Sequence, residues 1–374
     1  IYYNKLMQLI IVESMEALCK WFWNERIWLP GNYTWNDVRP SETVPLTHFK
    51  HLIYPPFIGL IIIVIRFFTE RFFLEKWGIS LGLRHSRGSA AQPLPNPKLD
   101  GGYERLVLAN GNKKLAFRDI EKLARECGME VRQVQRWMRR KSNHHRPSRL
   151  NKFAESGWKF ICYGLLFTGG LLVLVHKSWF WNMQECWNGY PLKHTLDSDI
   201  WWYYMMSAGF YWSLFLTQFY DTKRKDFWQM FIHHLTTIGL LYFSWVGNFT
   251  RIGSLVILLH DTADVVLEMG KMAKYAHKDR LCDFFFGVFT ILWIITRLGI
   301  YPWYILSSTF FEATTIIGFF PVYYIFNGML TVLFVLHIFW TYFIVKVALS
   351  AVSKGQYEDA RSSSSDEYDD KKNH

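Results

Sequence analysis

The stretch Phe227-Trp-Gln-Met-Phe-Ile-His-His-Leu-Thr-Thr-Ile-Gly-Leu-Leu-Tyr-Phe-Ser-Trp-Val246 decides how the chain is read. It is long and apolar enough for one helical crossing of a bilayer, which takes about 20 residues, yet it carries His233 and His234 side by side. Ionisable groups at membrane depth are costly and mark cavities where chemistry is done. The next apolar run adds His260, Asp261, Asp264 and Glu268. Neighbouring spans therefore bring imidazoles and carboxylates into lipid.

The rest of the chain divides the same way. It has 374 residues, 51% of them apolar, and 42 basic against 31 acidic residues. Apolar and charged stretches must be segregated, as in an all-α polytopic membrane protein with soluble appendages. Seven transmembrane helices are expected: Leu52 to Phe68, Trp158 to Val175, Ile200 to Tyr220, Phe227 to Val246, Ile252 to Gly270, Cys282 to Tyr301 and Pro321 to Leu349. The last six should form a bundle around an intramembrane cavity. No signal-peptide layout precedes the first span. The five cysteines lack CxxC spacing, which argues against a zinc module or a disulfide scaffold, and only Cys19 and Cys186 could share a non-cytosolic compartment.

Cytosolic loops hold an excess of lysine and arginine. Between Arg84 and Lys159 stand 18 basic and 7 acidic residues, so residues 84–150 should be a cytosolic insert. The turns around Lys223-Arg224-Lys225 and Lys271 to Arg280 are basic too, whereas Phe311 to Phe320 has no basic residue. Seven spans then leave residues 1–51 in the lumen, with a glycosylation sequon at Asn32, and residues 352–374 in the cytosol. A second sequon at Asn248 sits too close to the membrane to carry weight.

Within the insert, Gly88 to Gly102 reads as a linker, Phe117 to Gly128 as a helix ended by glycine, and Glu130 to Lys141 as a basic helix. The pair resembles the last two helices of a homeodomain through Trp137 and Arg139-Arg140-Lys141. In homeodomains an asparagine three positions after the tryptophan reads adenine, and here that position is Arg140. A first helix is also not evident. Sequence-specific DNA is therefore not an expected partner; a membrane surface or an intramolecular contact is.

The runs carrying His233 and Asp264 should form an antiparallel hairpin turning near Asn248, which puts these two residues at equal depth. A carboxylate beside an imidazole fixes its tautomer and stabilises its cation, so the group suits general-base or nucleophilic chemistry. Histidine and carboxylate clusters can also hold metal, but the spans supply only His233, His234 and His260 as a plausible group, so no metal is expected. His337 reads as an isolated core histidine. Arg297 should face lumenward and snorkel or pair there.

The stretch Lys225 to Ile238, with Arg251 to Leu255, Leu259-His-Asp-Thr-Ala-Asp264, Lys271-Met-Ala273 and Thr296 to Pro302, resembles the TLC domain of the ceramide synthases over Asn151 to Ala351. The homeobox-like insert and the acidic serine tail match the animal branch. The resemblance implies transfer of a fatty acyl group from acyl-CoA to a sphingoid base in the endoplasmic reticulum membrane, with acyl-CoA as co-substrate and no cofactor. His233 would attack the thioester, His234 would stabilise the oxyanion or move the amine proton, and Asp264 with Asp261 would orient His233. Lys223, Arg224, Lys225, Lys271 and Lys274 would bind CoA, although positive-inside topology explains any single one equally well. The family implies that the segment from Ser307 to Ile317 governs acyl length, with Phe310 and Phe311 limiting cavity depth. It also implies phosphorylation of Ser363 and Ser364, which have acidic residues three positions on. A homo- or hetero-dimer is compatible with this reading. A non-catalytic lipid-sensing or scaffold protein retaining the fold is the alternative.

Overall fold

A computed structural model describes residues 13–31, 33–38, 40, 45–83, 96–109, 116–144, 148–221 and 226–354. Asn32, Lys223, Arg224, Lys225, Ser363 and Ser364 lie outside the described residues. The described chain is built of helices: α1 (Phe49–Ser80), α2 (Pro97–Ala109), α3 (Phe117–Cys127), α4 (Val131–His144), α5 (Arg149–Leu174), α6 (Ser198–Thr217), α7 (Phe227–Val246), α8 (Thr250–Tyr275), α9 (Asp279–Ile317) and α10 (Val322–Lys354).

Among the described residues, α1, α5, α9 and α10 are long and apolar enough to cross a membrane by length and composition. Their lipid-type faces stay exposed, as Ile61, Phe67, Leu172, Ile295 and Val335 show. The protein is a multi-pass membrane protein. The other long helices, α6, α7 and α8, hold 20, 20 and 26 residues. Helix α8 falls short of that measure through its charges, Asp261, Asp264 and Glu268 among them, and α6 and α7 through their aromatic and histidine content; α6 and α8 each bury at least half of their residues.

Helix α1 packs on α6 at a pair of small residues. A Cβ on Gly59 would meet that of Trp212 at 2.9 Å, and one on Gly209 would meet Ile58 Cγ2 at 2.4 Å, so both positions must stay bare for the backbones to approach. Helix α5 lies along α8, α8 along α9, and α7 against α10. The α7–α8 hairpin turns at Asn248, which adopts φ +54° and whose buried amide donates to the carbonyls of Pro191 (3.2 Å) and His194 (3.0 Å). That use of the amide is why the sequon there carries no weight.

Helix α9 differs from expectation. It continues past Tyr301 through Ser307 to Ile317, so the segment read as a lumenal connection is helical. The turns from Ile294 to Leu306 are wide, with Pro302 inside them; proline withholds a backbone donor, and the helix accommodates this by changing its hydrogen-bond spacing instead of stopping.

The insert also differs. Where a linker was expected up to Gly102, α2 begins at Pro97 and supplies a first helix. Leu99, Leu123, Ala124, Val134 and Trp137 form one small core across α2, α3 and α4. Gly128, at φ +64° in the left-handed region, ends α3 and lets the Met129 amide reach back to Ala124. Lys141 pairs with Asp100 and lies 5.1 Å from the Trp137 ring centre, so part of the basic stretch serves this core.

Candidate active site

The polar residues of α6 to α10 converge on one cavity of about 1190 Å³, into which His233, His234, His260, Asp264, Arg297 and His337 all face. The expected pairing in depth of His233 with Asp264 thus brings both to the same cavity wall.

His234 is the most closely specified of the histidines. Its Nδ1 lies 2.9 Å from Gln218 Oε1, and Gln218 Nε2 donates to the Phe227 carbonyl at 2.8 Å. The second bond orients the amide, so Oε1 is the acceptor and His234 Nδ1 must carry the hydrogen. The lone pair of His234 is then on Nε2. His233 stands beside it, with ring centres 5.7 Å apart and the edge of Trp340 at 5.4 Å. Among the described residues its Nδ1 has no hydrogen-bond partner.

Asp261 and Asp264 separate. Three residues turn a helix by about 300°, which leaves roughly 60° between the two side chains. That angle is enough to send Asp261 to α6, where it accepts from Tyr211 Oη at 3.1 Å while fully buried, and Asp264 to α9, where it lies 3.8 Å from Arg297. Asp261 does not line the cavity, whereas Tyr211 does.

Of the two expectations for Arg297, snorkelling or pairing, the structure shows pairing. Arg297 is 2% exposed and points into the bundle, donating to the Leu259 carbonyl at 2.6 Å and to the His260 carbonyl, with its guanidinium 5.2 Å from the Trp293 ring centre. Carbonyls, a carboxylate and an aromatic face compensate the charge where lipid could not. His337 is likewise not isolated. His260 Nδ1 donates to Val256 O at 2.7 Å, leaving its Nε2 as an acceptor, and His337 Nε2 donates to that atom at 3.1 Å. Among the described residues no three metal-ligating side chains form a group that could hold an ion.

The expected cationic rim is only partly seen. Lys271 lines the cavity, held 2.6 Å from Glu268, but Lys274 does not; it lines an adjoining, mostly apolar cavity between α8, α9 and α10 that has Lys271 as a shared wall. A lysine that the sequence reading passed over, Lys159 on α5, lines the same cavity as the histidines. It is bound to Glu155 at 2.7 Å and Asp221 at 3.2 Å, and Asp221 is also bound to Arg66 of α1 at 2.7 Å. The i,i+4 spacing of Glu155 and Lys159 was the available signal. For Gln218 the only signal was a lone amide in an aromatic run.

A second cavity of about 880 Å³ lies next to the first, with Tyr211 and His260 as shared walls. Its surface is mostly apolar, with Thr237, Ser244 and Asn327 among the lining, and from the segment Ser307 to Ile317 it takes Thr309, Ala313, Thr314 and Ile317. Ser307, Phe310 and Phe311 do not line it, and Phe311 is 70% exposed. Residues 309, 313 and 317 fall near one face of a helix, and the two phenylalanines lie off that face.

A TLC domain model matches residues 152–346. Human ceramide synthase 5 is 39% identical over 361 residues, covering 94% of this chain and 90% of the relative. Bovine ceramide synthase 4 is 39% identical over 350 residues, with 92% and 86% covered. Human ceramide synthase 3 is 35% identical over 348 residues, with 93% and 88% covered. The chain belongs to the ceramide synthases. Both cavities of this ceramide synthase are lined by residues inside the matched TLC domain or, for Lys159 through Asp221, braced by Arg66 outside it.

Proposed function

We propose that this ceramide synthase transfers the acyl group of a fatty acyl-CoA to the amine of a sphingoid base through an acyl-imidazole on His234, with the acyl tail in the apolar cavity. The Gln218–His234 bond carries the assignment, because it leaves a lone pair on His234 Nε2 facing the cavity. The expected nucleophile, His233, takes the second position.

His234 Nε2 attacks the thioester carbon, forming a C–N bond while the carbonyl electrons move to oxygen. Collapse breaks the C–S bond and CoA leaves as the thiolate. The acylated ring keeps its Nδ1 hydrogen, and Gln218 Oε1 stabilises the positive charge there. The uncharged sphingoid amine then attacks the acyl carbon, the C–Nε2 bond breaks, and the amide forms as His234 returns to its neutral state. The proton lost by the amine ends on the thiolate, and His233, with Nδ1 unpartnered, is placed to relay it. Asp264 acts through Arg297 on the α8 backbone beneath the site, and Asp261 acts by orienting Tyr211 at the junction of the cavities.

The basic insert supports a cytosolic insert and C-terminus with a lumenal N-terminus in the endoplasmic reticulum membrane. Lys159 and Lys271 then stand at the end from which CoA arrives. The reading uses no cofactor beyond acyl-CoA as co-substrate. Intact-mass analysis after incubation with acyl-CoA alone tests it: the parent and His233→Ala should gain one acyl mass, and His234→Ala should gain none. An adduct that survives in His234→Ala, or none in the parent after rapid quench, rejects the acyl-imidazole on His234. If His234→Ala also forms ceramide from labelled sphinganine as fast as the parent, the cavity is not catalytic.

A further inference from the structure

Resting on that acyltransferase reading, the loop between α5 and α6 shows a feature that the chemistry above does not use. Residues 182–197 are clamped over the α7–α8 turn. Tyr190 Oη donates to the Gly247 carbonyl at 2.7 Å, Arg251 donates to the Glu185 carbonyl and, at 3.1 Å, to that of Lys193, and the Asn248 amide holds Pro191 and His194. So many bonds fix the loop as a rigid lid on one end of the bundle. From this lid the indole of Trp187, 3% exposed, enters the wall of the apolar cavity. It meets Phe249 edge to face at 6.1 Å.

Trp187 stands at the end remote from the chemistry. The apolar cavity runs along α8 from His260 back to Phe249, eleven residues or roughly 16 Å at the helical rise. Its surface is mostly apolar, so the bulk of side chains, more than their polarity, stops a tail that enters past Tyr211. The indole is tied at the far end. Trp187 Nε1 donates to Ser308 Oγ at 2.8 Å in a buried bond, and Ser308 in turn donates to Glu312 at 2.7 Å. Ser308 does not line the cavity itself. It connects the helical segment Ser307 to Ile317 to a ring that does.

We propose that Trp187, held by Ser308, is the end wall of the apolar cavity and determines how long an acyl chain this enzyme accepts. A tryptophan is large and rigid, and a hydrogen bond on Nε1 removes its freedom to swing aside. Part of what the α9 segment does to chain length then passes through Ser308 to a residue more than a hundred positions earlier in the chain.

The test uses full-length protein in membranes without endogenous activity, supplied with sphinganine and an equimolar panel of saturated acyl-CoAs from medium to very long chain. Ceramide products are read by mass spectrometry. A methylene that gains or loses its place in an apolar pocket changes selectivity about tenfold or more. Trp187→Ala should therefore shift the ratio of longer to parent-length products at least about tenfold. Ser308→Ala, which frees the indole without adding space beside the tail, should shift it the same way but less. Trp187→Phe, which restores most of the wall, should stay close to the parent. A Trp187→Ala enzyme that is slower but keeps the parent's product distribution overturns the proposal. Should Trp187→Ala fail to accumulate as folded protein, Trp187→Leu and Ser308→Ala decide, and parental distributions in both overturn it. A parent that acylates sphinganine with no member of the panel would remove the acyltransferase reading itself, and this inference with it.

Discussion

Gln218 holds His234 in a single tautomer: its Oε1 accepts from Nδ1 at 2.9 Å while its own Nε2 is committed to the Phe227 carbonyl. Removing this acceptor frees the ring to carry its hydrogen on Nε2, where the lone pair is needed. Gln218→Leu should slow acyl transfer to His234 by about 10- to 100-fold. Single-turnover quench with acyl-CoA alone measures that step. An unchanged rate would mean that the tautomer is set elsewhere.

Arg297 should tolerate neither neutral nor conservative replacement. Its fork reaches two α8 carbonyls and Asp264 together, which a lysine ammonium cannot reproduce. Arg297→Ala leaves the Leu259 and His260 carbonyls without their buried donor and Asp264 without its cation, a loss of about 1–3 kcal/mol. Thermal unfolding in detergent should show a large fall in Tm for the alanine variant and only partial recovery for Arg297→Lys.

The His260–His337 bond makes a milder case. His337→Phe keeps the aromatic contacts with Tyr301 and Trp293 but leaves His260 Nε2 without its donor, at a cost of about 1–3 kcal/mol. His337→Asn, which can donate, should recover part of the lost Tm; equal melting of the two variants would count against the assigned tautomers.

The face of α9 that lines the apolar cavity gives opposite expectations for neighbouring residues. Ala313→Phe fills the space beside the acyl tail and should move products towards shorter chains by about tenfold in ratio. Phe310→Ala and Phe311→Ala point elsewhere and should leave the distribution as it is. The same acyl-CoA competition distinguishes them.

Acid should loosen the lid loop. Burial, helped by Arg251, pushes His194 down to about 4 from its ordinary value of about 6.5, so the ring is neutral in the fold. The unfolded chain takes up this proton first as pH falls. Stability is therefore full above about pH 6.5 and is lost progressively towards pH 4, by roughly 3 kcal/mol at most. A pH series of Tm for the parent and His194→Gln should show a shallower acid slope in the variant.

Much of the site was legible because lipid penalises polar groups. His233, His234, Asp261 and Asp264 could be singled out one by one, since each breaks an apolar run, and Lys271 because it opens a basic turn. What could not be read was which side chains meet. The roughly 60° between Asp261 and Asp264 sends one to Tyr211 and the other to Arg297, and no spacing rule names those partners. The partners of Arg297 and His337 were hidden for the same reason: an ionisable residue in a span implies a partner without saying from which helix it comes. The first helix of the insert was hidden by its Pro and Gly content, since α2 is held by packing Leu99 against α3 and α4 more than by its own propensity.

By itself the sequence determined the class of the molecule, the order of its apolar helices, the histidine pair and the family, because hydropathy and motif order are local properties of the chain. Only the tertiary structure decided that His234 is the ring whose tautomer is locked, that Thr309 and Ala313 face the apolar cavity where Phe311 does not, and that Trp187 reaches its wall. Those facts depend on rotation of whole helices against one another. A change of one residue in helical phase turns a side chain by about 100°, which separates a cavity wall from a lipid-facing surface.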